Sequence, residues 1–249
     1  MKSKSIILLF GLTAFFFGCA EKKEGEQKTT MLSNFVSITD NEDKGIKEIL
    51  AFYGGQCKYA VGVSASTDQG KEKYFELEMS QSEIVEKYAN MAQLPASNVA
   101  YIFYKNLKEE KDHYHEIHTV LTFKDGGEMT YTYPMEQLDL VAGRMSTVNK
   151  IVELIKTNQF QEIKPFLNDT SAAKYDKNEL VANMEKLNPQ LGEVKEFLPY
   201  GFRITEKENG KRYLHISGGI LREVQNHEFS ADFDLDRPKD ELLMIRYSL

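Results

Sequence analysis

The chain has 249 residues, of which 41% are hydrophobic and 28% are charged, and its formal net charge is −7. This composition is typical of a globular protein and excludes a fibrous or largely disordered chain. The negative charge comes without a basic cluster, so nucleic acid is not an expected partner.

The first residues have the three parts of a bacterial export signal. Lys2 and Lys4 form a positive end, residues 6–17 form an apolar run, and Gly18 is the small residue before the predicted cut. At ~1.5 Å per residue the run is roughly 18 Å long, too short for a bilayer core of about 30 Å. The pattern therefore predicts a cleaved signal peptide over residues 1–18 rather than a membrane-spanning helix.

The sequence Phe16-Phe17-Gly18-Cys19 resembles a lipobox. The resemblance implies that Cys19 is the lipidation site, and that acyl chains such as palmitate anchor the protein to the membrane. A plain secretory signal with an incidental cysteine is the alternative. With Cys19 lipidated, Cys57 has no disulfide partner in the chain, and we expect it to be a small packed residue rather than a reactive thiol.

Residues 19–44 are predicted to form a lipidated tether, because the part next to Cys19 is polar and lacks periodicity. Ala20, not Asp, follows the cysteine, and Glu21, Glu24 and Glu26 resemble the acidic export tags of Bacteroidota surface lipoproteins. The expected location is therefore the bacterial cell envelope, at the outer membrane, facing either the periplasm or the cell surface.

Residues 45–144 are predicted to form an N-terminal α+β domain. Apolar residues at helical spacing predict a helix over 46–53, ended by two glycines. Alternating apolar and polar residues predict strands over 59–65 and 75–79.

The rest of this half contains one more predicted helix and three more predicted strands. Ser80, with Glu83 three residues later, predicts a capping box, and Leu94-Pro95 is expected to end the helix that it opens. The β-prone run 99–104 predicts a strand, and residues 125–127 predict the turn of a hairpin. The order α-β-β-α-β-β-β favours an antiparallel sheet with a packed helix.

Residues 145–249 are predicted to form a separate C-terminal domain, with the boundary placed in the ambiguous stretch 135–144. Three short helical stripes precede four strand-like runs, over 194–205, 211–224, 228–235 and 242–247. Asn209-Gly210 is a strong hairpin signal, and Gly218-Gly219 predicts a bulge or bend.

Three short helices followed by a bent antiparallel sheet resemble the cone-shaped nuclear-transport-factor-like fold, also called ketosteroid-isomerase-like. The residues that carry the resemblance are 151–160, 165–168 and 187–192. The resemblance implies an α+β module of the kind found, without known function, on bacterial envelope lipoproteins. No catalytic residue of that fold can be assigned to a position of this chain.

A histidine cluster at 113–118 is the most suggestive group for chemistry. On a strand, His113 and His115 share one face, while Glu116 and His118 share the other. This split does not bring three imidazoles to one metal, so a solvated strand end is favoured, and a metal site formed by these histidines is the alternative.

Two further groups lie in the C-terminal half. Asp232, Asp234 and Asp236 have the spacing of a calcium loop, but Arg237 and Leu243 stand where a glycine and a glutamate are needed, so the polar face of a strand is predicted instead. Tyr213, His215 and Ser217 share one face of a predicted strand, without a spacing that establishes catalysis.

These observations predict a lipid-anchored cell-envelope protein that acts as a non-catalytic binding or assembly module. Its partners are the membrane, through lipid on Cys19, and an unidentified protein or small ligand. The alternative is a small-ligand carrier or enzyme that uses the cavity of the C-terminal cone. No catalytic residue, metal or cofactor is assigned by the sequence.

Overall fold

The structure is a computed structural model that describes residues 30–32, 37–66, 70–169, 176–237 and 241–248. The helices are α1 (Asp40–Tyr53), α2 (Glu83–Lys87), α3 (Gln93–Leu107), α4 (Met135–Lys156) and α5 (Lys177–Leu191), with 3₁₀ turns at Ala89–Met91, Lys108–His113 and Phe160–Phe166. The strands are β1 (Thr30–Leu32), β2 (Gln56–Ser66), β3 (Gly70–Ser80), β4 (Glu116–Thr122), β5 (Glu128–Pro134), β6 (Val194–Glu206), β7 (Arg212–Arg222), β8 (His227–Asp234) and β9 (Leu242–Ser248).

The signal peptide and Cys19 lie outside the described residues, as does most of the tether, and the predictions made for them stay predictions. Within the described residues, no helix is long and apolar enough to cross a membrane.

The strands form two sheets, and the α+β class predicted from the sequence is confirmed. The second sheet is an antiparallel meander in the order β6-β7-β8-β9. The first has the order β1-β2-β3-β4-β5 and was predicted to be antiparallel, but β3 and β4 run parallel, so it is mixed. The reason is the segment between them, which crosses over one face of the sheet as α2 and α3 before the chain returns.

Helix α1 contains the predicted helix 46–53 but begins six residues earlier, at Asp40. The described part of the predicted tether is therefore structured, since it also supplies β1, which pairs with β2. Thr39 and Glu42 make a reciprocal capping box at its start, and its buried residues Ile46, Ile49 and Tyr53 recur at helical spacing. The helix ends at Gly54, whose φ of +64° suits a residue without a side chain.

The prediction of a strand over 99–104 is wrong, because these residues lie inside α3. All five consecutive residues from Ala96 to Ala100 are buried, and five consecutive positions go once round a helix, so most of its circumference faces protein. A helix buried on most sides has no amphipathic period, and its aromatic and branched residues then look like a strand.

The capping prediction at Ser80 is also wrong by two residues. Ser82 is the N-cap of α2, and its hydroxyl accepts a hydrogen bond from the backbone N–H of Val85 at 3.2 Å. Pro95 does not end this helix but lies in the first turn of α3, where its missing N–H costs nothing.

Both predicted hairpins are confirmed. Residues 123–127 close the turn between β4 and β5, where the N–H of Phe123 donates to the carbonyl of Gly127. The turn at Asn209-Gly210 joins β6 to β7, with Gly210 at a φ of +76°. Gly218 and Gly219 do lie at an irregularity, but the bulge is in the facing strand β6, between Pro199 and Gly201.

The predicted domain boundary falls inside a continuous helix. Helix α4 runs from Met135 to Lys156, and its residues Leu138 and Val148 on either side of the boundary are fully buried. One hydrophobic cluster contains core residues from both sheets and from α1, α3, α4 and α5. Whether 145–249 folds by itself stays a prediction.

Candidate functional site

The start of α3 lies directly against β6, and this contact places the candidate site. Gly201 in β6 has a φ of +147°, and a Cβ at this position would overlap the carbonyl oxygen of Leu94 and lie 2.6 Å from the hydroxyl of Ser97. The backbone N–H of Phe202 donates to the same hydroxyl at 2.8 Å. The helix and the strand therefore meet backbone to backbone, which brings the 3₁₀ turn Ala89–Met91 beside the second sheet.

The face of the second sheet that turns away from the core carries polar side chains. In β7, Tyr213, His215 and Ser217 alternate with the buried residues Leu214 and Ile216. The prediction that the three share one face is confirmed. The opposite face, towards α4, is filled by core residues such as Phe229 and Phe233.

Strand register places His215 between an arginine and an aspartate. Arg203 in β6 is the Cα partner of His215, and His215 is the Cα partner of Asp232 in β8. The His215 Nδ1 atom lies 2.6 Å from Asp232 Oδ1. A carboxylate at Nδ1 fixes the orientation of an imidazole and leaves Nε2 for another partner.

A groove of about 410 Å³ lies between this face and the first sheet. We call it the Arg203 groove; it is lined by residues 89–94, Met129, Tyr131, Arg203 and His215. Met91 and Met129 are 55% and 44% exposed, and both face this groove. Volumes of roughly 300–1,000 Å³ are usual for small-molecule sites.

A second groove of about 320 Å³ continues along the same face. It shares Met91, Leu94 and His215 with the first groove and extends to Tyr200 and Arg246. Burial, with smaller contributions from the neighbouring Tyr88 and Glu228, raises the pKa of the Tyr200 phenol, which therefore stays protonated as a hydrogen-bond donor.

The two arginines of these grooves lack carboxylate partners among the described residues. The side chain of Arg203 takes part in no ion pair or hydrogen bond there, and the side chain of Arg246 donates only to the sulfur of Met244, at 3.4 Å. By contrast, Arg212 at the far end of β7 is paired with Asp236 at 3.1 Å. The positive charge of Arg203 is thus open to a ligand.

The histidines at 113–118 are spread over three environments. His113 is exposed at the end of a 3₁₀ turn, not in a strand as predicted, and His115 accepts a hydrogen bond from the backbone N–H of Lys73 at 3.2 Å. His118 and Glu116 share one face, as predicted, with 2.8 Å between Nε2 and Oε2, and the imidazole stacks on Tyr74. The described part of the chain holds no group of three or more His, Cys, Asp or Glu side chains arranged for a metal.

The acidic triplet does not act as one unit. Asp232 faces His215, Asp234 is buried beside Arg237, and Asp236 binds Arg212. The predicted strand is confirmed with Phe229, Ala231 and Phe233 buried, but it ends at Asp234, so buried Leu235 and Asp236 lie in the turn that follows.

Cys57 fits the prediction of a packed residue. Burial, assisted by the negative charge of Glu78, raises the pKa of its thiol to about 12. A thiol with this pKa is almost entirely protonated at neutral pH and is a poor nucleophile.

Sequence reasoning identified His215 but missed its two neighbours. Asp232 was interpreted only as part of the acidic triplet, and Arg203 was not singled out. Their positions depend on the register between β6, β7 and β8, and the one local signal that could have aligned these strands is the Asn209-Gly210 turn.

Comparison of the chain with protein-family models, with curated proteins and with solved structures finds no significant match. Its function therefore has to be argued from the grooves and their residues.

Proposed function

We propose that this chain is a lipid-anchored protein of the bacterial cell envelope whose folded body binds a small ligand, without catalysis, in the Arg203 groove. The observation that carries the binding function is the convergence of Met91 and Met129, two widely exposed apolar side chains from different parts of the fold, on one groove. Exposed apolar side chains that cluster in a concavity favour a binding site, whereas isolated ones need no explanation.

The chemistry of the groove supports an adaptable binding site. Methionine side chains are flexible and polarisable, so they contact apolar ligands of varied shape. Tyr131 adds an aromatic surface beside Met129, and its hydroxyl contacts the Met129 sulfur at 3.6 Å. The three side chains line the groove together with the polar residues Arg203 and His215.

A neutral apolar dye, N-phenyl-1-naphthylamine, tests the binding function. The chain contains no tryptophan, so dye fluorescence can be followed without an indole background. We expect the dye to bind the 20–249 chain, and Met91→Ser combined with Met129→Ser to abolish the binding. Val224→Ser is the control, because Val224 is 71% exposed but lies outside both grooves. Unchanged binding by the double variant would refute the assignment.

The proposed lipid anchor is supported by the N-terminal sequence, in which a charged part, an apolar part and Gly18-Cys19 follow one another. We expect Cys19→Ala to release the protein from membranes or leave it uncleaved, and wild-type protein to incorporate a radioactive fatty acid. Fractionation should place the wild type in the outer membrane. A wild type that takes up no label, or one found only in the inner membrane, would contradict this part of the proposal.

The pairing of His215 with Asp232 favours one second candidate, an enzyme that uses His215 Nε2 as a general base. A panel of short-chain p-nitrophenyl esters tests this candidate. Hydrolysis lost in His215→Gln and retained in His118→Gln would support it. His118 is a matched control, because it also pairs with a carboxylate but lies on another sheet. Equal background rates in all three proteins would exclude ester hydrolysis.

A further inference from the structure

We infer that the ligand of the Arg203 groove is a small amphiphile, with one anionic head group held by Arg203 and an apolar body held by Met91 and Met129. This inference rests on the proposed binding function and adds the chemical class of the ligand.

The charge around the groove is the first argument. The protein as a whole is acidic, with a formal charge of −7. Yet no Asp or Glu is among the residues that line the Arg203 groove, and Arg203 is its one permanently charged residue. An unneutralised guanidinium at the edge of a groove attracts an anion and can donate to it through several N–H groups.

Asp232, on the same face of the sheet, does not neutralise Arg203. Asp232 lies one strand further away, because its strand pairs with β7 and not with β6, and its Oδ1 is held by His215. The imidazole of His215 thus occupies Asp232, and the guanidinium of Arg203 is left to a ligand.

The type of head group follows from the geometry of a guanidinium. Its planar array of N–H donors fits the two oxygens of a carboxylate or of a phosphate. The side-chain amides of Asn90 and Gln93 lie in the same lining and add neutral donors. Carboxylate and phosphate share this recognition chemistry, and the experiment below separates them.

The apolar side chains of the groove define the other end of the ligand. Met91, Leu94 and Met129 line the same groove as Arg203, so a ligand that fills it contacts apolar side chains as well as the guanidinium. The volume of about 410 Å³ suits a short acyl or aryl chain rather than a folded protein partner.

Isothermal titration of the 20–249 chain, which contains every described residue, with four octyl amphiphiles tests the inference. The probes are octanoate, octyl phosphate, octyltrimethylammonium and octyl glucoside, each below its micellar concentration. We expect at least one of the two anions to bind roughly tenfold or more tightly than the cationic and neutral probes. Tighter binding of octanoate would identify a carboxylate head group, and tighter binding of octyl phosphate a phosphate.

Variants of two arginines on the same sheet complete the test. Arg203→Met should weaken anion binding roughly tenfold, and Arg203→Lys should retain part of it, because a lysine keeps the charge but not the planar donor array. Arg212→Met removes the same charge outside the grooves and should leave the affinity within about twofold of wild type. Thermal unfolding of each variant verifies that it is folded.

The outcomes separate this inference from the proposed function. If the cationic or neutral probe binds as tightly as the anions, or if Arg203→Met binds them like wild type, the anion assignment is wrong while apolar binding stands. If the naphthylamine dye binds but no octyl anion does, the inference about the anionic head group fails and the proposed binding function stands. If neither the dye nor any amphiphile binds, the inference and the proposed function both fail.

Discussion

The backbone N–H of Phe202 in β6 donates a hydrogen bond to the hydroxyl of Ser97 in α3, over 2.8 Å. The same hydroxyl donates to the carbonyl oxygen of Leu94 at 2.9 Å. Since β6 is an edge strand, this N–H has no strand partner on that side, and the helix supplies the acceptor that a buried backbone donor requires. A single serine thus joins the helix of the first half to the sheet of the second.

Replacing Ser97 with Ala should destabilise the protein by about 1–3 kcal/mol, because the buried N–H of Phe202 loses its acceptor. Chemical unfolding in urea, followed by circular dichroism, measures this loss. Ser146→Ala is the matched control, since Ser146 is an exposed helical residue of α4 and alanine is the better helix former. Equal midpoints for Ser97→Ala and wild type would show that the bond contributes nothing to stability.

Gly201→Ala should lower the free energy of unfolding more than an alanine at a glycine that has free space around it. The new methyl group would overlap the Leu94 carbonyl, and the φ of +147° is unfavourable for a residue with a side chain. We expect a loss of roughly 2–4 kcal/mol, and a loss of about 1 kcal/mol for Gly210→Ala, where φ is +76° but no atom lies within 4 Å of the added carbon. Equal losses in the two variants would mean that α3 and β6 do not touch here.

Fragments that begin at different points of α4 test the predicted boundary. A 145–249 fragment starts inside the helix and lacks Leu138 and Val141, both fully buried, whereas a 135–249 fragment keeps them. The free energy of unfolding should fall from the full chain to 135–249 and again to 145–249. If 145–249 unfolds cooperatively with the stability of the longer fragment, the boundary predicted from the sequence is the correct one.

Acid should destabilise the protein through His227. Burial lowers the pKa of this imidazole below 6.5, its hydrogen bond to the Glu228 carbonyl opposes the shift, and the nearby charge of Arg222 adds to it. As the pH falls through 6.5, the unfolded chain takes up a proton that the folded protein does not yet bind, so the free energy of unfolding decreases.

His227→Phe preserves an aromatic ring against Tyr247, which lies 4.2 Å away between centroids, but cannot be protonated. Its unfolding free energy should therefore change less than that of wild type between pH 7 and pH 5. His113→Gln removes an exposed imidazole and should leave the wild-type pH dependence in place. A steeper slope in His227→Phe than in wild type would contradict the assignment.

Features that depend on a few neighbouring residues were predictable from the sequence. The Asn209-Gly210 turn depends on two adjacent residues, and the apolar stripe of α1 depends on the regular spacing of Ile46, Ile49 and Tyr53. The structure contains both features. Helix α3 was not predictable, because residues around almost its whole circumference are buried, polar Ser97 and Asn98 among them, and no exposed polar face reveals a helical period.

The candidate site was predictable only in part, for a related reason. Alternation within β7 placed His215 and Ser217 on one face, but it could not say which residue of β8 or β6 lies opposite. A shift of one residue would replace Asp232 with Ala231 or Phe233 beside His215. The groove itself depends on the contact of α3 with β6. The residues that make this contact close are Gly201 and Ser97, and neither has a sequence pattern that predicts it.

The parallel pairing of β3 with β4 has a consequence for the order of folding. The second sheet can grow from hairpin to hairpin, each closed by a short loop, whereas β3 and β4 can join only after the whole segment 81–115 has crossed over them. Until α3 docks, the inner edges of β3 and β4 offer unpaired backbone groups to other chains. We therefore expect slow assembly of the first sheet to be the stage at which the newly made chain is most prone to aggregate.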